Sequence, residues 1–268
     1  MERRSLAPRL ATAPEVPVIG MGTSGTLDPV GQSVSDRIVG DALAAGTTLF
    51  DSSPMYGNAE QILGTALARR RDQAVIATKV WTANDDEADV QIDRSLAYFG
   101  GHIEVLQIHN MVGWQRRLEQ IEARRDAGSV RLVGATHWKT DGFADVEAAM
   151  RTGRIDLVQV PYNPNERVVE QRLLPLALDL GIGVLLMRPF ADGDLFRRPP
   201  DASQLTPLAD AGITGWADAL LAWGLSHPAV SATIPATSKP ERATANARVG
   251  SLRRLTDDER DLIARLVS

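Results

Sequence analysis

No cysteine occurs anywhere in the 268 residues, which excludes disulfides and thiol nucleophiles and suits a reducing, cytoplasmic setting. Histidine is scarce as well: only His102, His109, His137 and His227 are present, none of them in a His-x-His pair. A metal-dependent hydrolase would lack its ligands in such a chain. No apolar run approaches the roughly 18 residues that a membrane span needs. Positive charge is not concentrated either, and a formal net charge of -5 speaks against nucleic acid or an anionic membrane as a partner, because both select clustered Lys and Arg. What is present is an ordinary balance of 44% apolar and 24% charged residues, enough for one large core. Residues 1–15 begin with an arginine pair, but Pro8, Arg9 and Pro14 break up any apolar stretch behind it. They read as a flexible leader, not an export signal, ahead of a single domain over 16–268.

From there on, short apolar segments alternate with helical periodicity. Strand-like runs fall at 16–23, 47–50, 74–79, 103–109, 130–136, 157–162, 183–187 and 232–235, each followed by a helical pattern, and a last amphipathic helix over 257–267 starts behind Thr256 as its N-cap. Alternation of this kind implies a parallel sheet covered by helices. Eight such units meet the requirement of a closed (β/α)8 barrel of the TIM type, whose working face lies at the C-terminal ends of the strands. The alternative is an open doubly wound sheet. Gly20-Met21-Gly22-Thr23-Ser24-Gly25 spells a dinucleotide-binding G-x-G-x-x-G, with Asp51 ending the next strand. That fingerprint requires a helix opening at the glycines, whereas residues 26–31 read as loop, so the barrel is preferred.

Polar residues close three successive apolar strands: Asp51, Lys79 and His109, with Tyr56 just past the first of them beyond a Ser-Ser-Pro turn. Singly, each has a plainer reading, as a turn cap, a solvated strand end or a satisfied core histidine. Together, at the same end of neighbouring strands in a barrel, they form one constellation. A phenol is a poor acid at neutral pH, but a neighbouring ammonium stabilises its phenolate and a buried carboxylate holds the ammonium in place. An added imidazole can orient a carbonyl oxygen, so the set suits protonation of an oxyanion while hydride arrives at carbon. Gln159, inside an apolar strand, is costly to bury without a partner. Thr237, Ser238 and Lys239 precede a helical pattern, a place that suits a phosphate. Trp81, Trp138 and Phe190 follow strand ends and can wall a substrate pocket, with Met55 and Trp114 as additions. Glu60 reads as structural support for the turn that carries Tyr56.

These motifs resemble the aldo-keto reductase superfamily. They are Gly20-Met21-Gly22-Thr23, Asp51 followed by Tyr56-Gly57-x-x-Glu60-x-x-Leu63-Gly64, Thr78-Lys79, His109-Asn110, Gln159-Val160-x-Tyr162-Asn163 and Ile234-Pro235. The resemblance implies reduction of a small aldehyde or ketone by NADPH, with Tyr56 as general acid and Asp51, Lys79 and His109 completing the tetrad. It also implies a nicotinamide site near Gly22, Thr23, Ser24, Asp51, Thr136, His137, Gln159, Met187, Arg188 and Pro189. Arg242 matches the arginine that grips the 2′-phosphate of NADP, and Asn246 the adenine-side asparagine. Several positions depart from the family's habit. His137 stands where asparagine is common, Met187 where an aromatic often stacks, Ala236 where lysine is frequent, and Ser24 where an aromatic borders the substrate, which implies a comparatively open pocket. The sequence does not separate a reductase from an epimerase or imine-reducing variant, nor from a cofactor-binding regulatory barrel, and it is compatible with a monomer or a small homo-oligomer.

Overall fold

The computed structural model describes residues 1–267. Eight parallel strands run in chain order: β3 (Met21–Gly22), β4 (Leu49–Asp51), β5 (Val75–Val80), β6 (Ile103–His109), β7 (Val130–Thr136), β8 (Leu157–Pro161), β9 (Gly183–Met187) and β10 (Ala232–Thr233). Bridges from Ile19 to Thr233 and from Gly22 to Ala236 join first strand to last. The sheet is therefore a closed barrel, and the open-sheet alternative falls away. Helices α1 (Leu27–Ala44), α2 (Ala59–Leu67), α3 (Asp85–Tyr98), α4 (Trp114–Asp126), α5 (Phe143–Arg151), α6 (Leu173–Leu180), α7 (Trp216–Leu225) and α8 (Pro240–Val249) follow the strands in turn, and α9 (Asp257–Leu266) closes the chain behind a Thr256–Glu259 capping box.

Strand side chains alternate between two environments, as a period of two demands. One set, including Ile76, Leu106, Ile108, Val133 and Val158, belongs to the layer packed under the helices. The other set, Leu49, Ala77, Val105, Leu132, Leu157, Leu185 and Ala232, fills the barrel interior. Two residues further along the same strands, the interior changes character: Asp51, Lys79, Gln107 and Gln159 are each buried to within 2% of full exclusion from solvent. Gly134 makes room for this layer, since a Cβ there would come within 2.6 Å of the Gln107 side chain.

Residues 1–15 are not the flexible leader that the prolines and arginines suggest. β1 (Arg3–Ser5) pairs antiparallel with β2 (Glu15–Pro17), and the hairpin plugs the barrel opposite the polar layer, with Leu6, Ala7 and Val16 fully buried against the interior cluster. Gly183 permits the approach, because a Cβ there would lie 1.8 Å from the Leu6 carbonyl oxygen. Arg9 fastens the turn through Asp156 at 2.8 Å and the Gly153 carbonyl at 2.9 Å. The sequence reading fails here because the plug is three apolar side chains scattered among loop-forming residues, with no periodicity to find. A second difference concerns residues 26–31: α1 already begins at Leu27 and is broken only at Gly31, whose φ is 73°. The later segment 191–214 is built of two 3-10 stretches, Ala191–Phe196 and Ala202–Ala211.

If the plug is part of the cooperative core, Leu6→Ala should lower the unfolding free energy by about 2–5 kcal/mol in guanidinium denaturation. An unchanged midpoint would mean that the hairpin docks without supporting the barrel.

Candidate active site

Asp51 and Lys79 form the centre of the polar layer. Lys79 Nζ donates to both carboxylate oxygens of Asp51, at 2.9 and 2.8 Å, and to the Ser52 carbonyl at 2.7 Å. The two side chains are buried almost completely, at 1% and 3% exposure. Gln107 Nε2 and Gln159 Nε2 each approach one oxygen of Asp51, both at 3.3 Å. The carboxylate is thus ringed by donors from three other strands. Burial pushes the Lys79 ammonium down in pKa, but the Asp51 carboxylate and Tyr56 outweigh it and the net direction is upward, so the cation is secure.

Above this pair stands Tyr56, whose ring centroid is 5.1 Å from Lys79 Nζ. His109 meets the same ring edge-on at 6.0 Å. The electrostatics differ in sign from the simple expectation for Tyr56. Burial raises its pKa, Lys79 opposes that and Asp51 adds to it, and the net direction is upward. Its phenol therefore keeps its proton at neutral pH until a stronger base forms beside it. His109 is shifted the other way, down to about 3, by burial first and then by Lys79 and His137. A neutral imidazole faces the same space as a protonated phenol.

That space is a cleft of about 700 Å³ at the C-terminal ends of the strands. Its floor holds Asp51, Tyr56, Lys79 and His109, and its walls include Gly22, Thr23, Ser24, Met55, Thr136, Trp138, Gln159, Met187, Arg188, Pro189, Phe190 and Arg242. Asn110 of the His109-Asn110 motif lines it too, and so do Thr26, Asp192 and Phe196, which were not picked out from the sequence. Phe196 packs against Phe190 with ring centroids 5.1 Å apart and planes tilted by 55°. Gln107 was also missed, although it carries the same signal as Gln159: an amide in an apolar strand, two residues before His109 and so on the same face.

Several expected residues are placed elsewhere. His137 lines no part of the cleft; its Nδ1 is engaged with the backbone of Lys139 at 2.8 and 3.1 Å, and the ring packs on Gly142. Trp81 is 42% exposed outside the cleft, its backbone held by Gln91 at 2.9 Å. Trp114 packs against the helix layer. Thr237 spends its hydroxyl on Lys239, whose backbone N–H donates to it at 3.1 Å, and Thr237 and Asn246 border a small separate recess. Ser238 and Lys239 are exposed at the start of α8. Glu60 accepts from Thr78 at 2.6 Å and Ser95 at 2.8 Å, so it ties β5 to α3 and does not support the Tyr56 turn.

The residues fit a nicotinamide cofactor on two counts. Gln159 Oε1 is buried without a partner, an acceptor free for a carboxamide N–H. Arg242, in the first turn of α8, reaches the cleft.

Comparison with known proteins agrees with this geometry. The family model described as "Aldo/keto reductase family" matches residues 18–268, and the chain belongs to that family, whose members are nicotinamide-dependent oxidoreductases. Aldo-keto reductase YhdN of Bacillus subtilis (strain 168) is 30% identical over 208 residues, covering 69% of this chain and 61% of that protein. NADH-specific methylglyoxal reductase of Escherichia coli (strain K12) is 27% identical, covering 65% of this chain and 62% of that protein. The chain thus spans somewhat under two thirds of the length of these relatives. Among solved structures, an aldo-keto reductase from Klebsiella pneumoniae in complex with NADPH superposes with a TM-score of 0.82 at 24% identity, covering 99% of this chain and 95% of that one.

Because its pKa lies near 3 in the fold against an ordinary value of about 6.5, the His109 imidazole should stay neutral between pH 8 and pH 5. In an NMR titration, the histidine signal absent from His109→Gln is expected to hold its neutral position over that range. An inflection near 6.5 in that signal would contradict the burial described here.

Proposed function

We propose that the protein reduces an aldehyde or ketone to the alcohol with NADPH, Tyr56 acting as general acid. The observation that carries the reading is the buried Lys79–Asp51 pair at 2.8 Å, set beneath a protonated phenol and beside a neutral imidazole at the floor of a cleft. When bound, the reduced nicotinamide supplies a hydride to the carbonyl carbon. As the carbon–oxygen π bond opens, the oxygen gains charge and takes the phenolic proton of Tyr56. Lys79 stabilises the phenolate left behind, at the moment when its own charge is worth most in a site shielded from water. Asp51 keeps the ammonium in position, and the imidazole of His109 donates to the same carbonyl oxygen, which fixes its orientation. In the reverse direction the same phenolate removes the alcohol proton.

Thr136, Gln159, Met187, Arg188 and Pro189 are assigned to the nicotinamide end of the cofactor. Gln159 offers its orphaned oxygen, and Met187 offers a soft apolar surface in place of a stacked ring. Preference for NADPH over NADH is assigned to Arg242. Its guanidinium makes no ion pair among the described residues, and a planar fork suits a 2′-phosphate. Lys239, exposed one turn earlier, supplies a second cation where Ala236 offers none. Met55, Trp138, Phe190 and Phe196 form an apolar rim over the reacting carbon, which fits a small carbonyl compound better than a charged one.

Tyr56→Phe removes the donated proton and leaves the cofactor contacts intact. NADPH oxidation with a panel of aldehydes and ketones is expected to fall by at least about a hundredfold, while NADPH still binds in a fluorescence titration. Wild-type turnover in this variant would remove Tyr56 from the role. Arg242→Ala should weaken NADPH by about 10- to 100-fold, the worth of a charge-assisted hydrogen bond or two, and leave NADH binding unchanged. Equal losses for both cofactors would show that Arg242 does not read the 2′-phosphate.

A further inference from the structure

Ser53 takes no part in the chemistry above, yet its hydroxyl lies 3.0 Å from Nδ1 of His109. The side chain is fully buried. The backbone N–H of Met55 donates to the same oxygen at 3.2 Å. A hydroxyl owns one proton and two lone pairs, and a backbone N–H can only donate. Met55 therefore uses a lone pair of Ser53, and the hydroxyl proton needs an acceptor elsewhere. Among the described residues the only one recorded at the Ser53 hydroxyl is Nδ1 of His109. Were Nδ1 itself protonated, the Ser53 proton would be buried with nowhere to go, a costly arrangement.

We propose that Ser53 is a positioning residue that locks His109 in the tautomer with its proton on Nε2, so that a neutral imidazole presents an N–H donor to the cleft. Among the described residues the only hydrogen bond recorded for the His109 ring is the one at Nδ1, and the imidazole lines the cleft. The depressed pKa of His109, near 3, agrees with a ring that accepts at one nitrogen and donates at the other without a net charge. The turn after β4 divides its two serines between the two functional groups. The Ser52 carbonyl accepts from Lys79, and its hydroxyl is bonded to Thr23 at 2.9 Å; Ser53 serves His109. The consequence for turnover rests on the carbonyl-reducing reading, since the N–H at Nε2 would orient the substrate oxygen, but the tautomer itself does not.

The test is a long-range proton–nitrogen correlation spectrum of protein labelled with nitrogen-15 in histidine. Only four imidazoles contribute, and His109 is assigned by its absence in His109→Gln. The wild type is expected to show a pyridine-type Nδ1 and a pyrrole-type Nε2 for His109. In Ser53→Ala the two nitrogens should move toward averaged values, and kcat/KM for a carbonyl substrate should fall roughly five- to tenfold, as for one lost hydrogen bond, with NADPH affinity unchanged. A pyrrole-type Nδ1 in the wild type overturns the proposal, and so does an unaltered tautomer in Ser53→Ala. The wild-type spectrum decides even if the variant folds poorly. Because it reads the proton and not the turnover, a failure of the reductase reading would leave this result distinguishable.

Discussion

The ion pair between Lys79 and Asp51 is the contact that the rest of the polar layer is arranged around. Burying two charges costs more than their attraction returns unless further hydrogen bonds satisfy them. Here the barrel supplies those bonds from several directions: the Ser52 carbonyl to the ammonium, and the Gln107 and Gln159 amides to the carboxylate. An apolar pair of the same volume would serve stability at least as well. For the proposed reaction the retained charges make sense as an electrostatic device, held rigid by strands so that no reorganisation is needed when a proton leaves Tyr56.

That device works on Tyr56 differently from what its residue types alone imply. A lysine next to a tyrosine suggests a phenol with a lowered pKa, half ready to dissociate. In the folded chain, burial dominates and the net shift is upward. In the proposed role, a group that keeps its proton at neutral pH is ready as an acid, and the ammonium's benefit is reserved for the charged phenolate. His109 is the complementary case. Burial and Lys79 together deny it a charge, so in the proposed reaction it competes neither with Tyr56 for the role of acid nor with Lys79 for the role of cation.

Much of this was legible in the sequence, for an identifiable reason. Strands buried on both faces must be apolar, so Asp51, Lys79, His109 and Gln159 stand out against their neighbours, and the alternation with helices places them at one end of a barrel. Gln107 carried the same signal and was passed over. Loops are different, because nothing periodic constrains them. His137 and Trp81 follow strand ends in sequence, yet the His137 ring is bonded to the backbone of Lys139 and the Trp81 backbone to the Gln91 side chain, and neither lines the cleft, while Phe196 arrives from the 3-10 stretch after β9. The N-terminal plug was illegible for a related reason: Leu6, Ala7 and Val16 are too few and too scattered to form a pattern, and their role depends on the shape of a barrel bottom that no local rule describes.

Register joins these observations. On β4, β5, β6 and β8 the interior residue of the apolar layer is followed two positions later by the interior residue of the polar layer: Leu49 by Asp51, Ala77 by Lys79, Val105 by Gln107, and Leu157 by Gln159. A slip of one residue in any of these strands would exchange both at once, sending an apolar side chain out of the interior and a charged or amide group under the helices. Packing therefore selects the register in which the site is assembled, although the ion pair contributes little to stability by itself. The plug at the opposite end strengthens the same selection, because Leu6 and Val16 belong to the same interior cluster as Leu49, Leu157 and Leu185. The arrangement of Asp51, Lys79, Gln107 and Gln159 is thus fixed by side chains two residues away, and in the proposed reaction substitutions in that apolar layer should disturb proton transfer without touching any group that takes part in it.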